Sequence, residues 1–259
     1  MKKFLLVFFV AMLAGCMQNT TNVGKSQVDR SQLMLVSSDE INEASAKAYS
    51  DVIAQAKASN TLNKDPKLTK RVRDISNKLI AKAPYFREDS AKWNWEVNVI
   101  TSDTINAWCM AGGKIAVYTA IVEKLKLNDD EIAFILAHEI AHALREHVRE
   151  QQSQELVKNG LISVASMFGV DNTILGVANA AANVGISLPF SRSHESESDE
   201  IGLELSYMAG YNPDAAASLW RKMQEHSGDG GFEFLSTHPS HESRIENLEK
   251  LAAKLKAKK

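Results

Sequence analysis

Apolar residues recur at helical spacing along several stretches of the chain, for example Leu68, Val72 and Ile75. Most of these stretches begin with residues that favour a helix N-terminus, such as Ser-Asp, Asp-Pro or Asn-Pro. Pro84 ends the second stretch, because proline cannot continue a helix. The pattern predicts amphipathic helices over residues 38–57, 66–83, 129–145, 213–225 and 240–254.

Alternating apolar and polar residues mark a smaller β portion in the middle of the chain. Residues 95–100 alternate as in a half-buried strand, and residues 105–110 form a second extended segment. The pair Gly112-Gly113 predicts a turn that leads into a third strand at 114–118. Together these elements predict an α+β fold, mostly α, with one small β-sheet.

Composition and charge restrict the classes of partner. A length of 259 residues and a hydrophobic fraction of 44% allow one sizeable core. The 30 basic and 32 acidic residues nearly balance, and no long basic run is interleaved with aromatic residues. The sequence therefore predicts no nucleic-acid partner.

The helix predicted at 129–145 carries the sequence His-Glu-Ile-Ala-His. His138 and His142 lie four residues apart, so both imidazoles leave one face of the helix within reach of a single metal ion. Glu139 lies one step around the helix, where a zinc peptidase has the carboxylate that activates water. The motif predicts one Zn²⁺ per chain, with Glu139 as the general base. An ordinary amphipathic helix with two surface histidines is the alternative.

The third zinc ligand is expected from residues 191–202. The metzincin arrangement needs Gly and His where this chain has Arg145 and Val148, so it is excluded. A thermolysin-like site instead takes a glutamate from a later helix. Composition does not choose among the candidate donors in this stretch, which are His194, Glu195, Glu197 and Asp199.

The N-terminus has the features of a bacterial lipoprotein signal. A Lys pair precedes an apolar stretch that is too short to span a bilayer, and Leu-Ala-Gly-Cys ends at Cys16. This tetrapeptide resembles a lipobox, which implies a signal peptide at 1–15 and a diacylglyceryl and palmitate anchor on Cys16. Met17, in place of Asp, implies sorting to the outer membrane, facing the periplasm of a Gram-negative bacterium. A plain secretory signal with an incidental cysteine is the alternative.

Two further segments complete the predicted domain organisation. Residues 16–37 are polar and predict a flexible tether, followed by a zinc metallopeptidase domain at 38–259. With Cys16 acylated, only Cys109 remains, so we predict that it is a buried apolar residue without a disulfide partner.

Residues 155–190 are rich in small and aliphatic residues. No run reaches the roughly 18 consecutive apolar residues that indicate a membrane span. We interpret the segment as a pair of helices that covers the core. A mobile, membrane-facing or plug-like hairpin that limits access to a cleft is the alternative.

Four segments, taken in order, resemble one family of zinc peptidases. The resemblance is to the gluzincin family that contains the CAAX prenyl endopeptidase and HtpX, and within it to LoiP-like bacterial outer-membrane lipoprotein metalloproteases. It covers about residues 40–250, and four ordered motifs are far more specific than one. The segments are Asn-Ala-Trp-Cys-Met-x-Gly-Gly-Lys-Ile at 106–115, His-Glu-Ile-Ala-His at 138–142, Ser-Arg-x-x-Glu-x-Glu-x-Asp-x-x-Gly at 191–202 and Thr-His-Pro-x-x-x-x-Arg at 237–244.

The resemblance implies roles for the acids at 191–202. Glu195 takes the position of the third zinc ligand, and Asp199, one helical turn later, the position of a residue that orients a ligating imidazole. Glu197 would point away from the metal. Two positions depart from the family pattern: Ala111 stands where the family often has Pro, and Ser198 where it usually has Ala. Neither is expected to touch a ligand.

The resemblance also implies a substrate edge and a further histidine near the metal. Asn106, Ala107 and Trp108 resemble the edge strand with which thermolysin-like peptidases hold the substrate backbone. A structural hairpin is the compatible alternative. In relatives, the histidine of Thr-His-Pro can approach the metal and restrain activity. His238 is therefore expected near the zinc or the oxyanion, with Arg244 positioning its loop, unless His238 simply caps the last helix.

The expected function is that of a zinc-dependent metalloendopeptidase of the bacterial envelope. Its substrates would be misfolded or damaged envelope proteins, and it would contact the membrane through its lipid anchor. The alternative is a chaperone-like binding module for envelope proteins, with a latent or secondary protease activity. The remaining histidines are predicted to be solvated surface residues: His147, His226 and His241.

Overall fold

The structure of the protein is a computed structural model. Three predictions lie wholly or largely outside the described residues: the signal peptide at 1–15, the helical pair at 155–190, of which 168–188 are not described, and the surface position of His241. Over the ranges that are described, no helix is long and apolar enough to cross a membrane. The described residues are 16–167, 189–228, 232–239 and 243–257.

Helices dominate the described residues, and a small sheet lies beside them. The predicted α+β fold, mostly α, is confirmed. Two short 3-10 turns, Ala83–Tyr85 and Glu88–Lys92, join the second helix to the sheet. In chain order the elements are β1 (Met17–Gln18), β2 (Gln32–Leu33), α1 (Ser38–Ala58), α2 (Pro66–Ile80), β3 (Glu96–Ile100), β4 (Ala107–Met110), β5 (Lys114–Tyr118), α3 (Thr119–Lys124), α4 (Asp129–Leu144), α5 (His147–Met167), α6 (Arg192–Met208), α7 (Ala215–Glu225), α8 (Phe234–Thr237) and α9 (Ser243–Ala257).

Helix α4 forms the centre of the core, because every residue from Glu131 to Leu144 is buried. The helix begins with a capping box: the Asn128 side chain accepts from the Glu131 N–H, and the Glu131 carboxylate accepts from the Asn128 N–H. Asp129 and Asp130 lie in the first turn, where their charges favour the positive end of the helix dipole.

The sheet has the strand order β3-β5-β4 and packs against α4 through β4. Strand β3 runs parallel to β5, whereas β4 is antiparallel to it and forms an edge. The turn between β4 and β5 uses Gly112 and Gly113, whose φ angles are 74° and 82°. A Cβ on Gly113 would lie 2.6 Å from the Trp95 ring, so only glycine fits there. The predicted turn and its two flanking strands are confirmed.

Helix α6 crosses α4 in close contact. Ile201, Leu203 and Leu205 of α6 are fully buried in this core. At the crossing point, a Cβ on Gly202 would lie 2.8 Å from the backbone nitrogen of His138. Because the two backbones approach so closely, the first turns of α6 lie directly beside the metal-binding face of α4.

Residues 16–37 pack against the domain, which corrects the prediction of a flexible tether. Strands β1 and β2 pair in an antiparallel ladder. The Gln32 side chain donates to the carbonyl oxygen of Arg145 at 2.7 Å. The backbone N–H of Ser26 donates to the carboxylate of Glu204 at 2.7 Å. Because polar side chains of this segment pair with buried groups of the domain, its polar composition does not make it mobile.

Two helices end or begin differently from the prediction. Helix α2 stops at Ile80, and Pro84 lies in the following 3-10 turn rather than directly after the helix. Helix α7 begins two residues later than predicted. The Asn212 side chain accepts from the N–H of Asp214 at 3.1 Å, so a turn precedes the helix.

Candidate metal centre

Two imidazoles on α4 face the same point. His138 and His142 are 1% and 3% exposed, and their Nε2 atoms lie 3.1 Å apart. Their spacing of four residues places them on one face, as the sequence predicted. The Nδ1 atom of His138 lies 3.1 Å from Asp199. An ionised carboxylate only accepts, so this nitrogen carries the proton and Nε2 presents a lone pair.

Glu195 and His238 complete a cluster of four donors. The carboxylate of Glu195 lies 3.3 Å from Nε2 of His142 and 3.6 Å from Nε2 of His138. Nδ1 of His238, just after α8, lies 3.3 Å from Nε2 of His138 and 3.0 Å from Glu195. All four ligand atoms lie within 4.8 Å of one another. Imidazole nitrogens and a carboxylate oxygen that meet at one point form a donor set that suits zinc.

Glu195 is the donor from 191–202 that faces the histidine pair. Asp199 instead holds the other nitrogen of His138, so both residues occupy the positions that the family pattern implies for them. The two remaining candidates point away from the cluster: His194 lies 3.2 Å from Glu150, and Glu197 lies 2.7 Å from Arg145.

Arg244 of α9 lies behind the cluster. Its guanidinium donates to both oxygens of Asp199, and Nη1 lies 2.7 Å from Glu195. Burial raises the pKa of Asp199, but the charge of Arg244 and the hydrogen bond to His138 outweigh this, so the pKa is lowered. Asp199 is therefore the ionised partner that fixes the His138 tautomer. Arg244 also donates to the carbonyl oxygen of Pro239 at 3.4 Å, next to His238.

The structure places His147 next to the ligand cluster, although the sequence predicted it at the surface. His147 is fully buried, its Nδ1 lies 3.0 Å from Nδ1 of His142, and its Nε2 lies 3.2 Å from Glu197. The surface prediction is wrong because Glu146 takes a left-handed conformation, φ 52°, between α4 and α5. That turn directs the first residue of α5 back toward the cluster. In the sequence, the only signal is a histidine five residues after the motif.

The environment selects the protonation states that zinc requires. Burial lowers the pKa of His142 and of His147 well below 6.5, so both imidazoles are neutral near pH 7. Burial raises the pKa of Glu195, but the charge of His238 outweighs it and holds the pKa well below 4.5. Neutral imidazoles and an ionised carboxylate are the forms that bind zinc.

Glu139 lies beside the cluster at the base of a cleft. Burial raises its pKa above 4.5, against the opposing charge of His238. A backbone hydrogen bond from Cys109 on β4 reaches its carboxylate. Its Oε1 lies 3.4 Å from Nε2 of His238. Burial lowers the pKa of His238, but the facing carboxylates of Glu139 and Glu195 raise it above 6.5.

The cleft has a volume of about 250 Å³, and β4 forms one of its walls. Among the described strands β4 pairs only with β5, so its other edge is unpaired. The carbonyl groups of Asn106 and Met110 accept from the β5 side. Backbone groups alternate in direction along an antiparallel strand. Those of Trp108 therefore point toward β5, and those of Ala107 and Cys109 point toward the cleft.

The two cysteines have different surroundings. Cys109 is buried, as predicted, and burial raises the pKa of its thiol well above 9.0. Cys16 is partly exposed just before β1, and its carbonyl oxygen accepts from the N–H of Met34 at 2.9 Å. Cys16 lies outside the lining of the cleft.

A buried set of two histidines and a glutamate, with a second glutamate beside it in a cleft, is the arrangement typical of a zinc metallopeptidase site. The same conclusion comes from the sequence as a whole: residues 66–252 match the profile of Peptidase family M48. The chain belongs to this family. This membership agrees with the predicted zinc metallopeptidase domain.

The chain is similar to longer proteins from eukaryotes and bacteria. The mitochondrial metalloendopeptidase OMA1 of Arabidopsis thaliana is 35% identical over 155 residues, which cover 60% of this chain and 31% of the relative. The Beta-barrel assembly-enhancing protease of Yersinia pestis is 28% identical over 220 residues, covering 79% of this chain and 43% of the relative. The protein of the same name from Escherichia coli K12 is 27% identical over 209 residues, which cover 74% of this chain and 40% of the relative. The chain therefore spans less than half the length of these relatives.

Proposed function

We propose that this chain is a lipid-anchored zinc metalloendopeptidase of the bacterial cell envelope, of the LoiP-like kind, that degrades misfolded or damaged envelope proteins. One observation carries the chemistry: the ligand cluster and Glu139 meet at the base of a cleft that has an unpaired strand edge. The envelope setting is supported by the lipobox-like sequence ending at Cys16. It is also supported by the similarity to proteases named for enhancing β-barrel assembly.

His138, His142 and Glu195 are proposed to hold the ion and to leave a position open toward the cleft. When bound, zinc supplies Lewis-acid activation of a water molecule and of the scissile carbonyl. Glu139 takes a proton from the attacking water and passes it to the leaving amine. Burial supports this role, because it raises the pKa of Glu139 and so makes the carboxylate a stronger base.

The substrate is proposed to bind along Asn106, Ala107 and Trp108. An extended peptide would add to the unpaired edge of β4 as a further strand, hydrogen-bonded through backbone groups. Such binding requires a chain segment free of its own secondary structure. Unfolded polypeptides are therefore expected to be cleaved in preference to folded proteins.

His238 is proposed to act on both the resting state and the reaction. Its Nδ1 faces the ligand cluster, where it competes for the open position and restrains activity. Its Nε2 lies 3.4 Å from Glu139, on the side where the substrate carbonyl develops negative charge. Replacing His238 by Ala should change casein cleavage in either direction. Unchanged cleavage and unchanged zinc content would contradict a role at the metal.

The decisive experiment compares the wild type with Glu139→Gln for cleavage of unfolded casein, with zinc content measured by elemental analysis. We expect the variant to keep its zinc and to lose cleavage by a factor of at least about 100, because general base catalysis contributes that much. Glu123→Gln, on the short helix α3 away from the cleft, is the matched control and should cleave like the wild type. Full cleavage by Glu139→Gln would remove this residue from the mechanism.

The chaperone-like alternative gives a different result in the same assay. If the wild type and His238→Ala both hold zinc and neither cleaves any unfolded protein, the chain is a binding module rather than an active peptidase. If only His238→Ala cleaves, the enzyme is latent, and His238 restrains it.

The anchor is tested separately through Cys16. In a Gram-negative host, we expect the wild type to incorporate labelled palmitate and to fractionate with the outer membrane. Cys16→Ser should lose both properties, whereas Cys109→Ser should keep them. Wild-type protein that takes up no palmitate would contradict the anchor and leave the peptidase chemistry untouched.

A further inference from the structure

One ring nitrogen of His142 faces away from the ligand cluster and meets His147. The two Nδ1 atoms lie 3.0 Å apart, and both side chains are buried. A hydrogen bond of this length needs one proton between the two nitrogens. The direction of the bond decides which nitrogen of His142 is left to bind a metal.

Glu197 decides the direction. The Nε2 atom of His147 lies 3.2 Å from the Glu197 carboxylate, which only accepts when ionised, so Nε2 of His147 carries the proton. The Nδ1 atom of His147 is then an acceptor, and Nδ1–H of His142 donates to it. The Nε2 atom of His142 is therefore left with a free lone pair directed at the cluster.

Two further contacts support this assignment. Arg145 donates to Glu197 at 2.9 Å, and Arg30 also donates to it, so the Glu197 carboxylate accepts from two guanidinium groups. The Ser198 hydroxyl lies 3.3 Å from Nδ1 of His147 and, because a hydroxyl can donate or accept, fits either direction of the bond. Ser198 is also one of the two positions that depart from the family pattern.

We propose that His147 is a positioning residue of the zinc site, and that the chain Glu197–His147–His142 fixes the tautomer and orientation of the second motif histidine. Asp199 does the same for His138 through a direct contact. His142 thus reaches its carboxylate through an intervening imidazole. This inference rests on the proposed zinc-binding role of His142 and concerns metal binding, not the identity of the substrate.

The test measures zinc affinity by competition with a chromophoric chelator, on the full chain. His147→Leu removes the acceptor at Nδ1 and should weaken zinc binding about 10-fold to 100-fold, the range typical of such outer partners. His147→Asn keeps an acceptor near the same place and should recover most of the affinity. His226→Asn, a partly exposed histidine at the end of α7, is the control and should bind like the wild type. Wild-type affinity in His147→Leu would overturn the proposal.

Two spectroscopic readouts separate positioning from folding. With Co²⁺ in place of zinc, the visible ligand-field spectrum of His147→Leu should differ from that of the wild type and His147→Asn. A merely structural role would leave the spectrum of the metal-bound fraction unchanged. In the wild type, ¹⁵N imidazole shifts should show the proton of His147 on Nε2 and that of His142 on Nδ1. A proton on Nδ1 of His147 would contradict the proposal even if every variant failed to fold.

These outcomes are independent of the proposed peptidase function. A wild type that binds zinc tightly but cleaves nothing would refute the peptidase function and leave the positioning role of His147 intact. A wild type that cleaves casein, with His147→Leu unchanged in zinc affinity and cobalt spectrum, would refute the positioning role alone.

Discussion

Arg244 on α9 and Asp199 on α6 form a buried ion pair through two N–H groups. Nε lies 2.5 Å from one carboxylate oxygen and Nη2 lies 2.8 Å from the other, although the residues are 45 positions apart. The same guanidinium lies 2.7 Å from Glu195 and 3.5 Å above the ring of Trp220. Helix α9 therefore holds two carboxylates of α6 in place at the ligand cluster.

Replacing Arg244 by Lys should destabilise the protein by about 3 kcal/mol, because an ammonium cannot bridge both carboxylates and leaves buried acceptors unpaired. Zinc affinity should fall about tenfold, since Asp199 is then less firmly held. Urea unfolding and chelator competition measure the two effects. Arg221→Lys, in the exposed pair with Glu249, is the control and should stay within about 0.5 kcal/mol. Equal stability of the two variants would contradict this role.

Gly202→Ala should cost about 2 kcal/mol and reduce zinc content. The new Cβ would lie 2.8 Å from the backbone nitrogen of His138, and backbone atoms cannot move aside without separating α6 from α4. Gly160→Ala is the matched control, because a Cβ there meets nothing within 4 Å. The control should gain up to about 1 kcal/mol from helix propensity. Thermal unfolding compares the two, and a harmless Gly202→Ala would show that the crossing can relax.

Arg30→Met tests whether residues 16–37 belong to the folded domain. Arg30 donates to Glu150 at 2.5 Å and also to Glu197, and both acceptors are buried. We expect a loss of about 2 kcal/mol in urea unfolding, because Glu150 is left with less compensating charge. The control, Lys47→Met, removes an exposed ion pair with Asp51 and should cost less than about 0.5 kcal/mol. A negligible change in the free energy of unfolding for Arg30→Met would instead support the predicted flexible tether.

Acid should destabilise the protein partly through Glu150. Burial raises its pKa, but hydrogen bonds from Arg30, His194 and Gln32 outweigh this, and the folded-state pKa lies well below 4.5. A lowered folded-state pKa stabilises the protein above the unfolded value, and this contribution is lost as the pH falls below about 4.5.

Glu150→Gln should therefore be less stable than the wild type at pH 7, and the difference should narrow by about 1–2 kcal/mol between pH 5 and pH 3. Urea unfolding of both metal-free proteins across this range measures it. Metal-free protein is needed because acid also releases zinc from its ligands. A difference that stays constant with pH would show that Glu150 does not contribute by this route.

The sequence alone determined the elements whose causes are local. The helix that carries His138 and His142 follows from its apolar period and its acidic first turn, and four-residue spacing is enough to place both imidazoles on one face. The β4–β5 turn follows from Gly112 and Gly113, which adopt the positive φ that other residues avoid. Family motifs pointed to Glu195 and Asp199 without any geometry.

Contacts between distant segments were decided only by the tertiary structure. The sequence predicts His147 at the surface and Glu197 pointing away from the metal, yet a left-handed turn at Glu146 and the crossing of α4 by α6 bury them together. Residues 16–37 look like a tether because their composition is polar, yet Arg30 and Gln32 pair with buried groups. Periodicity and capping report what a residue does to its own few neighbours. Which charge meets which partner depends on how whole helices pack, and no local pattern contains that information.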